Sequence, residues 1–160
     1  MTVLLLGLAV VLFDQLTKLW VRSVLIYGGE AVPVIPGLLN LVYVRNDGAA
    51  WGMLGGQQPL LILFSLVVLT LLAVMHHRVL NPTWDHRLAL GLMTGGICGN
   101  LIDRIRLGWV MDFVDVYVGS AHWPAFNVAD ASICTAVGIY LLSSLWHSRH
   151  PLKGDPHVSP

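Results

Sequence analysis

Several of the nine acidic residues in this 160-residue chain stand where a carboxylate is costly. Asp14, Asp103 and Asp130 lie inside long apolar stretches, and Asp112 and Asp115 lie just beyond one. An ionisable side chain within a membrane helix costs roughly 2.5–3.5 kcal/mol on insertion scales, so each needs a partner or a use. Asp14 and Lys18, four apart, share a helix face, either as a structural ion pair or as an electrostatic contribution to a site. Asn100 and Asp103 are three apart. Asn127 and Asp130 repeat that spacing at the start of another apolar stretch, where either could also cap a helix. Two carboxylates held close together cannot both ionise cheaply. One keeps its proton, and the pair can then activate water and protonate a leaving group. Competing chemistries lack their residues. Neither Cys98 nor Cys134 has a histidine beside it or zinc-site spacing, and the chain contains no H-E-x-x-H and no G-x-S-x-G.

The elements that position these groups follow from composition. Hydrophobic residues make up 56% and charged residues 11%, and mean hydropathy is +0.71. Nine acidic and nine basic residues cancel, which argues against a nucleic-acid partner. The fold class expected is an all-α membrane protein, a single domain over residues 1–147 with a cytoplasmic, disordered tail at 148–160. Four stretches are long enough to span a bilayer: about 2–26, 59–75, 88–106 and 128–146. Asp14, Lys18 and Arg22 and the lack of an A-x-A site argue that the first is a retained span rather than a removable leader. Gly91, Gly95 and Gly99 form a small-residue stripe on the third span that allows close helix approach, continued by Asn100 and Asp103. Cys134 and Gly138 are expected to extend the Asn127–Asp130 face of the fourth.

Lysine and arginine in short loops set orientation. Arg78, Arg87, Arg149 and Lys153 put both termini in the cytoplasm and face segments 27–58 and 107–127 outward together. Within the first outer segment, 41–44 reads as a strand and Trp51 as an interfacial anchor. A small extracytoplasmic cradle or flap is therefore expected beside the four helices. Within the second outer segment, Gly108 to Met111 reads as a short apolar return.

Five ordered motifs carry a resemblance over about residues 5–146. They are Asp14-Gln15-Leu16-Thr17-Lys18, Asn46-Asp47-Gly48-Ala49-Ala50-Trp51-Gly52, Gly99-Asn100-Leu101-Ile102-Asp103-Arg104, Val110-Met111-Asp112-Phe113 and Phe126-Asn127-Val128-Ala129-Asp130. The chain resembles lipoprotein signal peptidase, the bacterial signal peptidase II, an aspartyl peptidase family of the inner membrane. Depth alone would pair Asp103 with Asp130. The resemblance implies Asp112 and Asp130 instead, with Asp103 orienting the site through Arg104 or a backbone donor, or acting as the runner-up catalyst. It further implies a prolipoprotein substrate with a lipobox, cut just before a diacylglyceryl-modified cysteine, at the outer leaflet of the inner membrane. Asn46, Gly48, Asn100 and Asn127 would then contact an extended substrate backbone, Arg104 its carbonyls, and Asp115 would be a solvated loop charge. No cofactor or metal is called for, membrane lipid is the surroundings, and a monomer is expected. A small proton-coupled transporter using Asp14, Asp103 and Asp130 as a relay is the rival reading.

Overall fold

The computed structural model describes residues 2–49, 53–79 and 83–150, with side chains left aside for 75–79. Trp51, Lys153 and the tail beyond Arg149 and His150 lie outside them. Four helices and a small sheet alternate along the chain: α1 (Thr2–Val24), β1 (Val32–Ile35), β2 (Leu39–Asn46), α2 (Gln58–Val79), α3 (Trp84–Leu107), β3 (Val110–Val118), β4 (Ala121–His122) and α4 (Val128–Arg149). Among these, α1 and α4 are long and apolar enough to cross a membrane. Their outer faces carry large exposed side chains such as Leu4, Leu8, Phe13, Leu142 and Trp146, a surface that water alone would not favour.

α3 is the central helix, packed against α1 on one side and α4 on the other, with α2 also against it. Glycines make both contacts possible. A Cβ at Gly95 would stand 2.7 Å from the Gly7 carbonyl oxygen and 2.7 Å from Val10 Cβ of α1. A Cβ at Gly96 would stand 2.5 Å from the Ala129 carbonyl oxygen of α4. One at Gly99 would stand 2.7 Å from Asp14 Oδ2. The expected stripe is therefore real and faces α1, while Gly96 opens a second close approach to α4. The extension of the fourth helix through Cys134 and Gly138 does not hold. Cys134 is exposed, nothing lies near a Cβ at Gly138, and the buried face of α4 runs through Ala129, Ser132, Ala136 and Ser143.

The sheet is antiparallel in the order β1-β2-β3-β4 and sits at the end of the bundle where α1 and α3 finish and α2 and α4 begin. The strand expected at 41–44 is the middle of an eight-residue β2. The second outer segment is not a short return but the nine-residue β3. Its β-branched residues recur at alternate positions, Val110, Val114, Val116 and Val118, with Asp112 on the same face, and this period of two is the signature of a strand. Gly108 makes the transition. It adopts φ 78°, donates to the Arg104 carbonyl at 3.1 Å and so ends α3 directly before β3. Behind the sheet, Val21, Tyr43, Met111 and Phe113 form a buried cluster.

Gly96→Ala is expected to cost about 1–3 kcal/mol, because the Ala129 carbonyl it meets is backbone and cannot turn aside. Gly138→Ala, which meets open space, is expected to be neutral or slightly stabilising. Thermal unfolding in detergent, followed by tryptophan fluorescence, separates the two. Equal melting temperatures would refute the close-approach account.

Candidate active site

Lys18 lies buried in α1, and its ammonium group has three protons and three acceptors. These are Asp14 Oδ2 at 2.9 Å, Asp103 Oδ2 at 2.8 Å and Asn100 Oδ1 at 3.2 Å. An ammonium only donates. Asn100 must therefore turn its carbonyl to Lys18, which leaves its amino group for Asp130 Oδ1 at 2.7 Å. The expected Asp14–Lys18 pair is thus one edge of a buried three-residue ionic group.

Two more asparagines are oriented by the same logic. Asn127 is the N-cap of α4. Its side-chain carbonyl accepts from the Asp130 N–H at 2.9 Å, so its amino group points to Asp112 Oδ1 at 2.8 Å. Asn100 Oδ1 and the Met111 carbonyl are also within its reach. Asn46, at the end of β2, accepts from the Gly48 N–H at 3.0 Å and donates to Asp112 Oδ2 at 3.0 Å. Asp130 Oδ2 in turn accepts from the Asn127 N–H at 3.2 Å, which completes a capping box. Each oxygen of Asp112 and of Asp130 therefore has an N–H donor. Capping and site membership, posed as alternatives in the sequence, are the same set of bonds.

Asp112 is 2% exposed. Burial, and after it the charge of Asp130, push its carboxyl up to about 7, against the pull of hydrogen bonds from Asn46 and Asn127. A carboxyl that keeps its proton near neutral pH beside a second carboxylate can donate to one oxygen while its partner accepts from another.

Asp103 does not pair with Arg104. It binds Lys18, accepts from Gln15 Nε2 at 3.0 Å through Oδ1 and from the Met111 N–H at 3.3 Å through Oδ2. It thereby anchors the start of β3 one residue before Asp112. Arg104 instead donates through Nη2 to the Gly48 carbonyl at 3.2 Å. Asp14 also reaches α4, accepting from the Ala129 N–H at 3.0 Å. The amides of Asn46, Asn100 and Asn127, expected to meet substrate backbone, are engaged with the two carboxylates and their supports. Asp115 is neither solvated nor in a loop. It lies buried in β3, three residues from Asp112 and so on the other face, bonded to Asn40 and His122. Burial opposes its ionisation, but the bonds from His122 and Asn40 prevail and hold it below the usual carboxylate range. Gln15 was not singled out as a site residue. Its place within the first motif was the available signal.

Lys18→Met is expected to cost about 3–5 kcal/mol, since it leaves two buried carboxylates without their cation. Neutralising the group together (Asp14→Asn, Lys18→Met and Asp103→Asn) should cost less than Lys18→Met alone. A triple variant that melts at or below the single one would refute the ionic account.

Comparison with known proteins agrees with this geometry. Residues 6–146 match the family model described as signal peptidase (SPase) II. A lipoprotein signal peptidase of Syntrophotalea carbinolica is 46% identical over 144 residues, 88% of each chain. One of Geobacter metallireducens is 41% identical over 149 residues, 89% of each. Two solved structures, both described as bacterial membrane enzymes, superpose with TM-scores of 0.86 and 0.80 at 31% and 33% identity. They cover 96% and 90% of this chain and 93% and 92% of their own. An apolar helical bundle with a sheet at one end and a match along nearly the whole chain lead to one conclusion: the protein belongs to the signal peptidase II family of peptidases.

Proposed function

We propose that this chain is an aspartic endopeptidase of the bacterial inner membrane that removes signal peptides from prolipoproteins, cutting just before a cysteine that already carries a diacylglyceryl group. Asp112 and Asp130 are its catalytic pair. The observation that carries the reading is an N–H donor on every oxygen of both carboxylates, with Asp112 fully and Asp130 partly buried.

The donors occupy one approach to each oxygen and leave the remaining lone pairs for a water and for the proton that Asp112 offers to a substrate carbonyl. In the proposed cycle Asp130 is ionised and Asp112 carries the proton. Asp130 takes a proton from water as its oxygen attacks the scissile carbonyl. Asp112 donates to the oxyanion that forms. When the tetrahedral intermediate collapses, the carbon–nitrogen bond breaks and a proton from the pair passes to the leaving amine. Arg104 Nε, buried and without an acceptor among the described residues, gains one if a substrate carbonyl enters, while its Nη2 stays on Gly48.

Four spans, with both termini cytoplasmic, put the sheet end at the outer leaflet. The substrate is itself a membrane helix with a lipid at its end, so the cut belongs at that boundary. Exposed apolar residues on β1 and after the loop, Val32, Val34, Ile35, Met53 and Leu54, suit a cradle for the diacylglyceryl chains. The protein acts as a monomer and needs no cofactor. A proton relay through the bilayer is less well supported. On α3 the polar groups Asp85 and His86 at one end and Asn100 and Asp103 at the other are separated by about 20 Å of helix, lined mainly by Leu, Ala and Gly.

Asp112→Asn and Asp130→Asn are each expected to reduce cleavage of a diacylglyceryl prolipoprotein by about 10³-fold or more. Asp115→Asn should cleave nearly normally, and the unlipidated precursor should remain uncut. Substantial activity in either of the first two variants would sink the assignment. An amide at 112 would also turn its own NH₂ against that of Asn46 or Asn127, so lost charge is not the only harm.

Cleavage is expected to decline as pH rises through about 7, because Asp112 then loses the proton that the oxyanion needs. The sign follows from a raised carboxyl: the protonated form is held below about 7 and lost above it. A rate profile between pH 5.5 and 9 (roughly spanning that titration) that rises throughout would contradict the assignment of the proton to Asp112.

A further inference from the structure

Two arginines at the sheet end of the bundle have no role in the carboxylate site. Arg22 is in the last turn of α1 and Arg106 in the last turn of α3. Both are exposed at the surface. Both open into the same shallow recess at the surface, which is also lined by Gln15, Lys18, Leu19, Asp103, Leu107 and Met111. Neither arginine has an ion pair or hydrogen bond among the described residues. Arg45, in β2, differs, being held between the rings of Tyr27 at 4.0 Å and Trp109 at 4.7 Å.

A cation at a helix C-terminus is favourable by itself, which accounts for one arginine on each helix. It does not account for two unpaired guanidinium groups on one recess, whose carboxylate, Asp103, is already taken by Lys18, Gln15 and the Met111 N–H. The wall offers more than charge. Leu19 and Ile105 expose large apolar surface beside the arginines, so a ligand with an anionic head and hydrocarbon chains meets a matching partner at each end. Guanidinium forks bind phosphate oxygens in pairs. The buried group beneath, Lys18 with Asp14 and Asp103, has one acidic residue in excess, so the two arginines leave the neighbourhood one positive charge over. That surplus suits a singly charged phosphodiester.

We propose that Arg22 and Arg106 form a binding site for the phosphodiester of an anionic phospholipid, seated between α1 and α3 at the outer headgroup level. The proposal rests on the membrane placement given above, but not on the peptidase chemistry. The carbonyl ends of α1 and α3 repel an anion, so the arginines are what makes the recess attractive. Removing them reverses the preference rather than merely weakening it.

The test uses the full chain in maltoside micelles, with native mass spectrometry and thermal unfolding as readouts. Phosphatidylglycerol is titrated against phosphatidylcholine and inorganic phosphate. Phosphatidylglycerol is expected to bind and raise the melting temperature, and Arg22→Gln or Arg106→Gln to weaken binding about tenfold each, as for loss of a charge-assisted bond. Arg87→Gln, at the far end of α3, should bind like the parent. Arg22→Lys and Arg106→Lys keep the charge without the fork, and serve if the glutamine variants do not fold; they too should bind more weakly. Unchanged binding in these variants overturns the site. An equal shift from inorganic phosphate overturns the lipid as its source, and an equal shift from phosphatidylcholine overturns the requirement for net charge. Asp130→Asn should bind lipid normally, so a failed peptidase assignment and a failed lipid site give different results.

Discussion

Three protons on one buried ammonium group organise the site. Lys18 cannot accept a hydrogen bond, and at 4% exposure it cannot leave a donor unpaired without cost. Its three acceptors come from two helices: Asp14 on the same helix, and Asp103 and Asn100, one turn apart, near the end of α3. Each of these passes the constraint on. Asp14 holds the first turn of α4 through the Ala129 N–H, Asp103 holds the start of β3 through the Met111 N–H, and Asn100 holds Asp130. The two proposed catalytic carboxylates stand on α4 and β3, the elements that Lys18 reaches through its partners. Burying an ion pair adds little net stability. What it supplies here is direction: with the lysine in place, Asn100 has a single sensible orientation.

That arrangement demands backbones in close contact, which the glycines of α3 provide. Gly99 leaves room for the Asp14 carboxylate itself, Gly95 for the Gly7 backbone and Gly96 for the Ala129 carbonyl. Without side chains at these positions α1 and α4 flank α3 tightly enough for Asp14 to touch Ala129 across it. Packing and polar network are therefore one design. The same helix face that brings the backbones together in the apolar half delivers Asn100 and Asp103 in the polar half.

Much of this was legible in the sequence because its signals were local or costly. Four apolar stretches of span length gave four helices with ends displaced by a few residues. The Asp14–Lys18 spacing and the glycine stripe each predicted a contact that exists. Legibility failed where partners are distant in the chain. Asp103 looked suited to its neighbour Arg104, but an adjacent residue on a helix points elsewhere, and Lys18, 85 positions away, takes the bond. Asp115 looked like a solvated loop charge because its partners Asn40 and His122 meet it only once β2, β3 and β4 have paired. The strand itself was hidden by charge: Asp112 interrupts the valine alternation that marks β3. Depth in a helix ranked Asp103 above Asp112, yet an inner strand of the sheet buries Asp112 as fully as a helix would.

The far end of the bundle shows what separates a polar cluster from a reactive one. There Ser143 donates to Asp85, which only accepts, so its lone pairs receive His86 Nε2 and His147 Nδ1. His86 Nδ1 in turn lies 2.9 Å from the Thr83 hydroxyl. A serine, two histidines and an aspartate are in contact, the ingredients of a nucleophilic triad, but the hydroxyl proton is spent on the carboxylate rather than on a base. Every polar atom of Ser143 is used by the protein, and the group ties α3 to α4. At the sheet end the accounting differs. Four carboxylate oxygens each have one donor and room for another partner, one of the two acids keeps its proton near neutral pH, and Arg104 Nε faces no acceptor among the described residues. A saturated cluster holds helices together. An incomplete one, with its deficits turned toward a common space, is fitted to take a substrate.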